Sequence, residues 1–125
     1  MHRLSNIALA AIAAPLLLTP CAWAADVNQG KAIFSRCAAC HNVAKGGPNM
    51  IGPNLYGVVG RKAATKSGFS YSNAMKVSGI AWTNQKLDAY IAHPAQVVPG
   101  NRMAFAGIPD SKQRADLIAY LDTLK

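Results

Sequence analysis

The chain has 125 residues and a formal net charge of +8, from 13 basic and 5 acidic side chains. This length allows one small domain, and the sequence contains neither a run of five basic residues nor a nucleic-acid motif, which argues against nucleic-acid binding. The positive charge instead favours an anionic partner, and we expect an acidic protein.

The first 24 residues predict a secretion signal. A short basic start is followed by an uncharged apolar stretch over 7–18 and by a small-x-small cleavage site at 22–24. We therefore expect a signal peptide over 1–24 that is cleaved after Ala24. The mature protein would be a single periplasmic domain over 25–125.

Two other interpretations of the leader are disfavoured. The apolar stretch is about a dozen residues long, whereas a membrane-spanning helix needs about 20, so we expect no stable membrane insertion. Cys21 could accept a lipid, but Pro20 stands before it where such sites usually carry a small residue.

The mature chain predicts an all-α fold of four to five short helices joined by long loops. Asp26 can cap a first helix, in which Val27, Ile33 and Phe34 recur at helical spacing. Over 42–70 the Gly and Pro residues are too frequent for regular structure. An ordered loop of that length needs something to wrap around.

Two short helices are predicted in the middle of the chain. Ser70 or Ser72 starts one that ends near Val77. Thr83 caps the next, and Pro94 stops it because a residue before proline disfavours the α conformation.

The last predicted helix begins at Asp110, which forms a capping-box-like start with Gln113 three residues later. Its apolar face should pack on the first helix, where Gly30 allows a close crossing. That face consists of Leu117, Ile118, Leu121 and Leu124.

The most informative motif is the C-x-x-C-H run from Cys37 to His41. It predicts one covalent haem c, with thioether bonds from Cys37 and Cys40 and an imidazole ligand from His41. A zinc half-site, a thioredoxin-like redox pair and a structural disulfide are the alternatives. Zinc would need four ligands, but the mature chain has no third Cys and otherwise only His93. A thioredoxin-like pair needs a βαβ unit, which the pattern does not predict.

Met103 is the best candidate for the second axial ligand. It follows His41 by 62 residues, in a turn between two predicted helices. A thioether is a soft, neutral ligand that favours ferrous iron. Met50 and Met75 are rivals by residue type, and His93 would give a bis-histidine site.

Further stretches of the mature chain form a highly specific set around this motif: Lys45-Gly46-Gly47, Gly52-Pro53-Asn54-Leu55, Gly60-Arg61-Lys62, Gly68-Phe69-Ser70-Tyr71, Pro99-Gly100, Phe105-Ala106-Gly107 and Arg114-Ala115-Asp116-Leu117-Ile118-Ala119-Tyr120. With them the whole of 25–125 resembles class I cytochrome c of the mitochondrial and photosynthetic-bacterial type. The resemblance implies the small cytochrome c fold and a monomeric one-electron carrier that is not an enzyme. Its partners would be respiratory or photosynthetic redox proteins.

The resemblance also implies roles for residues around the haem. Pro53 matches the proline whose carbonyl accepts the Nδ1–H of His41 and so orients the ring. Arg61, Tyr71 and Trp82 match the groups that hydrogen-bond the haem propionates, whose burial without donors would be costly.

On the side of the second ligand, Tyr90 resembles the phenol that donates toward the Met103 sulfur. Asn101 stands where a small hydroxyl or amide residue helps in the same network, and Phe105 matches the aromatic at the haem edge. Met75 departs from the pattern, because many relatives place an asparagine there that joins a buried water network. An apolar thioether should make that pocket drier.

Two other functions remain open at this stage. One is an enzyme, such as a weak peroxidase, in which Met103 leaves the iron; Pro99 and Pro109 should stiffen the ligand loop and favour the carrier. The other is a signalling or assembly protein that binds another chain through a basic face.

The charge pattern predicts where a redox partner docks. Arg36 precedes a thioether cysteine and Arg102 precedes Met103, so both should lie near the haem. The last helix carries three of the five acids, Asp110, Asp116 and Asp122. We expect a dipole whose positive end surrounds the haem edge and attracts an acidic partner.

Overall fold

The structure is a computed structural model that describes residues 10–18 and 24–125. Residues 10–18 are exposed and form no regular secondary structure. Most of the expected cleavage site, and Cys21, lie outside the described residues. No helix in the described part of the chain is long and apolar enough to cross a membrane.

The predicted all-α class is confirmed: the described residues form five short α-helices and no strand beyond one isolated antiparallel bridge between Lys62 and Ala81. The elements in chain order are α1 (Val27–Ile33), a 3₁₀ turn (Phe34–Arg36), α2 (Asn73–Val77), α3 (Asn84–Ala92), α4 (Pro94–Val97) and α5 (Ser111–Asp122).

Four helices begin at side-chain caps that the sequence predicts. Asp26, Ser72, Thr83 and Asp110 each accept a hydrogen bond from a backbone N–H two or three residues later, at 2.8 to 3.1 Å. These bonds satisfy N–H groups that have no partner inside the helix. Ser72 rather than Ser70 therefore starts α2.

The predicted end of α3 is confirmed, but a fourth helix was not expected and the capping box at the last helix is incomplete. Pro94 ends α3 but also begins α4, because the first helical position needs no N–H and suits the fixed φ of proline. The capping box at α5 is only half formed. Asp110 caps the helix, but the Gln113 side-chain oxygen accepts a bond from Arg36 at 3.4 Å instead of one from the Asp110 N–H.

The packing of α1 on α5 organises the fold, and it depends on Gly30. A Cβ at Gly30 would overlap the backbone carbonyl of Asp116 and come within 2.9 Å of the Tyr120 Cβ. The expected close crossing is therefore present. Beside it, the rings of Phe34 and Tyr120 lie 5.6 Å apart, and Leu117 is buried.

Gly30→Ala should destabilise the protein by roughly 2 kcal/mol or more, because overpacking against a backbone carbonyl forces the helices apart and outweighs the higher helix propensity of alanine. Thermal and denaturant unfolding would measure the loss. The control is Gln29→Ala, an exposed position of the same helix, which should change stability by about 0.5 kcal/mol or less. Equal effects from the two variants would contradict the close crossing.

Asp116 joins the start of α1 to α5. Its Oδ1 accepts a bond from the Asp26 N–H at 2.8 Å and from Lys112 Nζ at 2.6 Å, and the carboxylate is buried. The Asp26 N–H, followed by the Lys112 ammonium, lowers the pKa of Asp116 below its usual value of 3.8. The contact between the two helices therefore depends on an ionised carboxylate.

This lowered pKa predicts a pH-dependent contribution to stability. Because the pKa is lower in the folded state, ionised Asp116 stabilises the fold fully above pH 3.8 and loses that effect as the pH falls through the folded-state pKa. The difference in unfolding free energy between wild type and Asp116→Asn should therefore be largest above pH 5 and shrink toward pH 2.

Denaturant titrations across this pH range measure that difference. Asp122→Asn is the control, since its ion pair with Lys125 is exposed and should contribute little at any pH. A difference for Asp116→Asn that stays constant from pH 6 to pH 2 would show that the ionised form contributes nothing specific.

Candidate functional site

A cavity of about 540 Å³ lies at the centre of the domain, a volume typical of sites that enclose a small molecule. All eleven residues that the sequence analysis assigned to the site line this cavity: Cys37, Cys40, His41, Pro53, Arg61, Tyr71, Trp82, Tyr90, Asn101, Met103 and Phe105. The structure thus gathers into one cavity residues that are up to 68 positions apart in the sequence.

The C-x-x-C-H run forms tight turns that continue α1. The Cys37 N–H donates to Phe34 at 2.8 Å, and the N–H groups of Cys40 and His41 both donate to the Cys37 carbonyl, at 3.1 and 2.9 Å. These turns place both thiols and the imidazole at the cavity. Neither thiol forms a disulfide within the described residues. Burial raises the pKa of Cys37, although the charge of Arg36 opposes the effect.

The His41 ring is fixed through its Nδ1 atom, which lies 2.8 Å from the Pro53 carbonyl oxygen. A carbonyl can only accept, so Nδ1 carries the proton and the lone pair of Nε2 is left for a metal. Burial lowers the pKa of His41 and outweighs the opposing hydrogen bond, which favours the neutral imidazole. A Cβ at Gly52 would come within 2.6 Å of Nδ1, so only glycine fits beside the ring.

Asn54 holds the loop that supplies Pro53, a role that the sequence analysis missed. Its side chain is fully buried and donates to the carbonyls of Ala44 and Gly47, at 2.9 and 3.0 Å. Its Oδ1 accepts from the Tyr56 N–H at 2.8 Å, and its own N–H donates to Asn49 at 2.9 Å. In a Gly- and Pro-rich segment an asparagine resembles any turn residue, so no local signal distinguishes it.

The loop that carries Met103 is held by Asn101. The Asn101 Oδ1 accepts from the Met103 N–H at 2.8 Å, and its Nδ2 donates to the Val98 carbonyl at 2.9 Å. Both ends of this amide thus bind backbone and fix the position of Met103. The neighbouring Arg102 donates to the Ser70 carbonyl at 2.8 Å, which ties this loop to the segment before α2.

Tyr71, Trp82 and Tyr90 bring donor groups to the cavity. The Tyr71 hydroxyl oxygen accepts from the Lys66 N–H at 3.2 Å, so its own proton is free to be donated elsewhere. Burial raises the pKa of Tyr90 to about 12, which keeps the phenol protonated. The rings of Trp82 and Tyr90 lie 4.9 Å apart.

Arg61 is partly committed to the protein. Its Nη1 and Nη2 donate to the carbonyls of Tyr56 and Asn54, each at 3.2 Å. A guanidinium has five N–H groups, so others remain for a ligand in the cavity. The backbone around it is fixed by short antiparallel pairing, in which the Trp82 N–H donates to the Arg61 carbonyl at 2.9 Å.

The rival ligands occupy different positions. Met50 is 47% exposed, and His93 is exposed at the C-terminal end of α3; neither lines the cavity. Met75 does line the cavity, from α2. Of the rival ligands that the sequence offers, Met75 is therefore the one that lies at the cavity together with Met103.

Comparison with known proteins identifies the family of this chain. The sequence model of the family described as Cytochrome c matches residues 27–125. The chain belongs to the cytochrome c family. Cytochrome c2 from Rhodopila globiformis is 50% identical over 101 residues, which cover 80% of the chain and 94% of that protein. A cytochrome c homolog from Bradyrhizobium diazoefficiens is also 50% identical, but the chain spans only 55% of its length.

A solved structure shows the same fold. Cytochrome cH from Methylobacterium extorquens superposes with a TM-score of 0.74 at 44% identity, over 78% of the chain and 98% of that protein. The chain is thus a class I cytochrome c: a one-electron carrier with a covalently attached haem c, and not an enzyme.

The residues at the cavity fit haem c. The Cys37 and Cys40 thiols line the same cavity as the His41 imidazole, whose Nε2 is available to a metal. The Met103 thioether lies on a loop that Asn101 holds, and much of the cavity wall is aromatic and aliphatic. These are the groups that a c-type haem requires. Within the described residues, no group of three or more His, Cys, Asp or Glu side chains is placed so that it could hold a metal ion, so the zinc alternative gains no support.

Four cationic side chains and no acidic one line the cavity: Arg36, Arg61, Lys62 and Arg102. All five aspartates of the protein are engaged elsewhere. Asp26 and Asp110 cap helices, and Asp88, Asp116 and Asp122 form ion pairs. Asp116 and Asp122 on the last helix are each paired with a lysine.

Proposed function

We propose that this chain carries single electrons between redox proteins of the periplasm, with haem c attached through Cys37 and Cys40 and its iron ligated by His41 and Met103. The observation that carries the proposal is that one cavity is lined by both thiols, by the imidazole that Pro53 orients and by Met103 on its anchored loop. The bound haem supplies an iron that gains and loses one electron.

The protein's part is to hold both ligands still. Pro53, supported by Asn54, keeps the proton on His41 Nδ1 and its Nε2 directed at the metal. Asn101 holds the backbone of Met103. A thioether ligand favours ferrous iron and raises the potential, and protonated Tyr90 is suited to donate toward its sulfur.

The remaining residues place the porphyrin. Arg61, Tyr71 and Trp82 supply the donors that buried propionates need, since an unpaired buried carboxylate is costly. Phe105 covers the haem edge. Apolar walls exclude water from the iron, so little has to rearrange when an electron moves.

Met103→Ala should abolish the near-infrared methionine–iron band and lower the reduction potential strongly, because the soft ligand that favours ferrous iron is lost. Met50→Ala, at an exposed position, should leave both unchanged. Met75→Ala is the sharper control because Met75 also lines the cavity; it should retain the band. If the band survives in Met103→Ala and disappears in Met75→Ala or His93→Ala, the ligand assignment is wrong.

We also propose that residues 1–24 are a signal peptide removed after Ala24, which leaves a periplasmic domain over 25–125. The leader pattern supports this division. The family match over residues 27–125 is consistent with it.

The proposed partners are acidic redox proteins that dock over the cavity. Its lining carries four cations and no acid, and the acids of the chain are held in caps and ion pairs. A field of one sign around the haem accelerates encounter with a partner of the opposite charge.

Electron transfer to an acidic acceptor should slow steeply as salt rises, since the Debye length falls to about 8 Å at physiological ionic strength. Reversal of Arg36 or Arg102 to Glu should slow the low-salt rate, measured by stopped flow, far more than Lys86→Glu. Lys86 is an exposed residue that does not line the cavity. Equal losses from the three reversals, or a rate independent of salt, would rule out this docking surface.

A further inference from the structure

Arg114 on α5 joins three separate parts of the protein. Its side chain is only 13% exposed. Its Nε donates to Asp88 Oδ1 on α3 at 2.7 Å, and its Nη1 donates to the carbonyls of Ile108 and Pro109, at 2.9 and 2.8 Å. One guanidinium thus connects α3 and α5 to the end of the loop that carries Met103.

The same short segment of that loop is also fixed on α3. Ile108 is fully buried, and its N–H donates to the Ile91 carbonyl at 2.9 Å. Gly107 has a φ of +108°, and a Cβ there would lie 2.9 Å from the carbonyl carbon of Ala92. The segment 107–109 is therefore held against α3 by close packing and a backbone hydrogen bond, and it is bound to α5 through Arg114.

Between this segment and Met103, the Phe105 side chain is partly buried against the core, but its backbone has little support. Ala104 and Ala106 are exposed, and the bond from the Phe105 N–H to the Met103 carbonyl at 2.9 Å is local. Asn101 and Arg102 therefore anchor the loop on the N-terminal side. The 107–109 segment anchors it on the C-terminal side.

We propose that Arg114 is a positioning residue for Met103: it clamps residues 107–109 and so limits how often the loop opens. This inference rests on the proposed ligation by Met103. The two carbonyl contacts, rather than the ion pair, carry the effect, because Asp88 is half exposed and an exposed ion pair contributes little. A planar guanidinium reaches three acceptors in a fixed fork, which a lysine ammonium on a flexible stem cannot reproduce.

Loop opening can be measured with imidazole as an added ligand for ferric iron. If imidazole binds only when Met103 has left, its apparent Kd equals the intrinsic Kd divided by the open fraction. Arg114→Met removes every donor while keeping a long side chain. It should therefore lower the apparent Kd for imidazole at least tenfold.

A second readout does not involve the iron. Hydrogen exchange at the Ile108 amide, whose N–H is bonded to Ile91, should be at least tenfold faster in Arg114→Met. Asp88→Asn keeps the bonds from Arg114 to the Ile108 and Pro109 carbonyls. It should change the apparent Kd for imidazole and the Ile108 exchange rate by less than threefold each. Ile118→Ala removes a buried side chain of the same helix that does not line the cavity, and it controls for lost global stability.

The outcomes separate the clamp from general destabilisation. Ile118→Ala and Arg114→Met should be compared at temperatures equally far below their unfolding midpoints. If the loop then opens equally often in both variants, the proposal fails. It also fails if Asp88→Asn reproduces the full effect. Should Arg114→Met not fold, Arg114→Lys takes its place. In Arg114→Lys the Ile108 amide should keep less than half of its wild-type protection against hydrogen exchange. Full wild-type protection would contradict the need for a guanidinium.

The proposed ligation can fail independently of the clamp. If Met103→Ala keeps the methionine–iron band, Met103 is not the ligand. Ile108 exchange would still report whether Arg114 holds the loop.

Discussion

The domain has to build its core around a group that is not part of its chain. Among the residues that the structure describes, seven of the ten hydrophobic core residues line the cavity, namely Phe34, Val58, Trp82, Leu87, Tyr90, Leu117 and Leu121. A domain of about 100 residues buries a limited part of its surface and often needs a covalent or metal-based support. Here the haem completes the core, so the residues that stabilise the fold are also the residues that surround the redox centre. The α1–α5 crossing at Gly30 closes this core from one side.

The two iron ligands proposed here are supported in different ways. His41 lies in a wall fixed by buried polar contacts, with Pro53 and the fully buried Asn54 beside it. Met103 lies in a loop whose middle is exposed and whose two ends are held by Asn101 and Arg114. The methionine side is therefore expected to be the first to open, because regions with few buried contacts have the lowest local stability.

Local chemistry was the part of the structure that the sequence could predict. Asp26, Thr83 and Asp110 identify helix starts because a carboxylate or hydroxyl binds an amide within three residues. The C-x-x-C-H run identifies the cofactor because thiol and imidazole spacing is local as well. Contacts between distant residues were predicted only where a glycine or the family resemblance indicated them, as at Gly30 and around the cavity; the others were not. Asn54 resembles a turn residue, Gln113 pairs with Arg36 across 77 positions, and Arg114 reaches Asp88 across 26. Helix α4 was missed because proline was interpreted only as a stop signal.

The acidic and basic side chains of this protein have different roles, and this difference affects how such a carrier can diversify. Each aspartate caps a helix or pairs with a cation, so the acidic side chains are committed to contacts within the protein. The arginines at the cavity, Arg61 and Arg102, also donate hydrogen bonds to backbone carbonyls. Exposed lysines such as Lys45, Lys76 and Lys86 lie outside the ion pairs described above. Substitutions among the lysines can therefore alter the surface field, and with it the choice of redox partner, while the haem environment stays the same. Partner choice and redox chemistry can evolve separately in this protein.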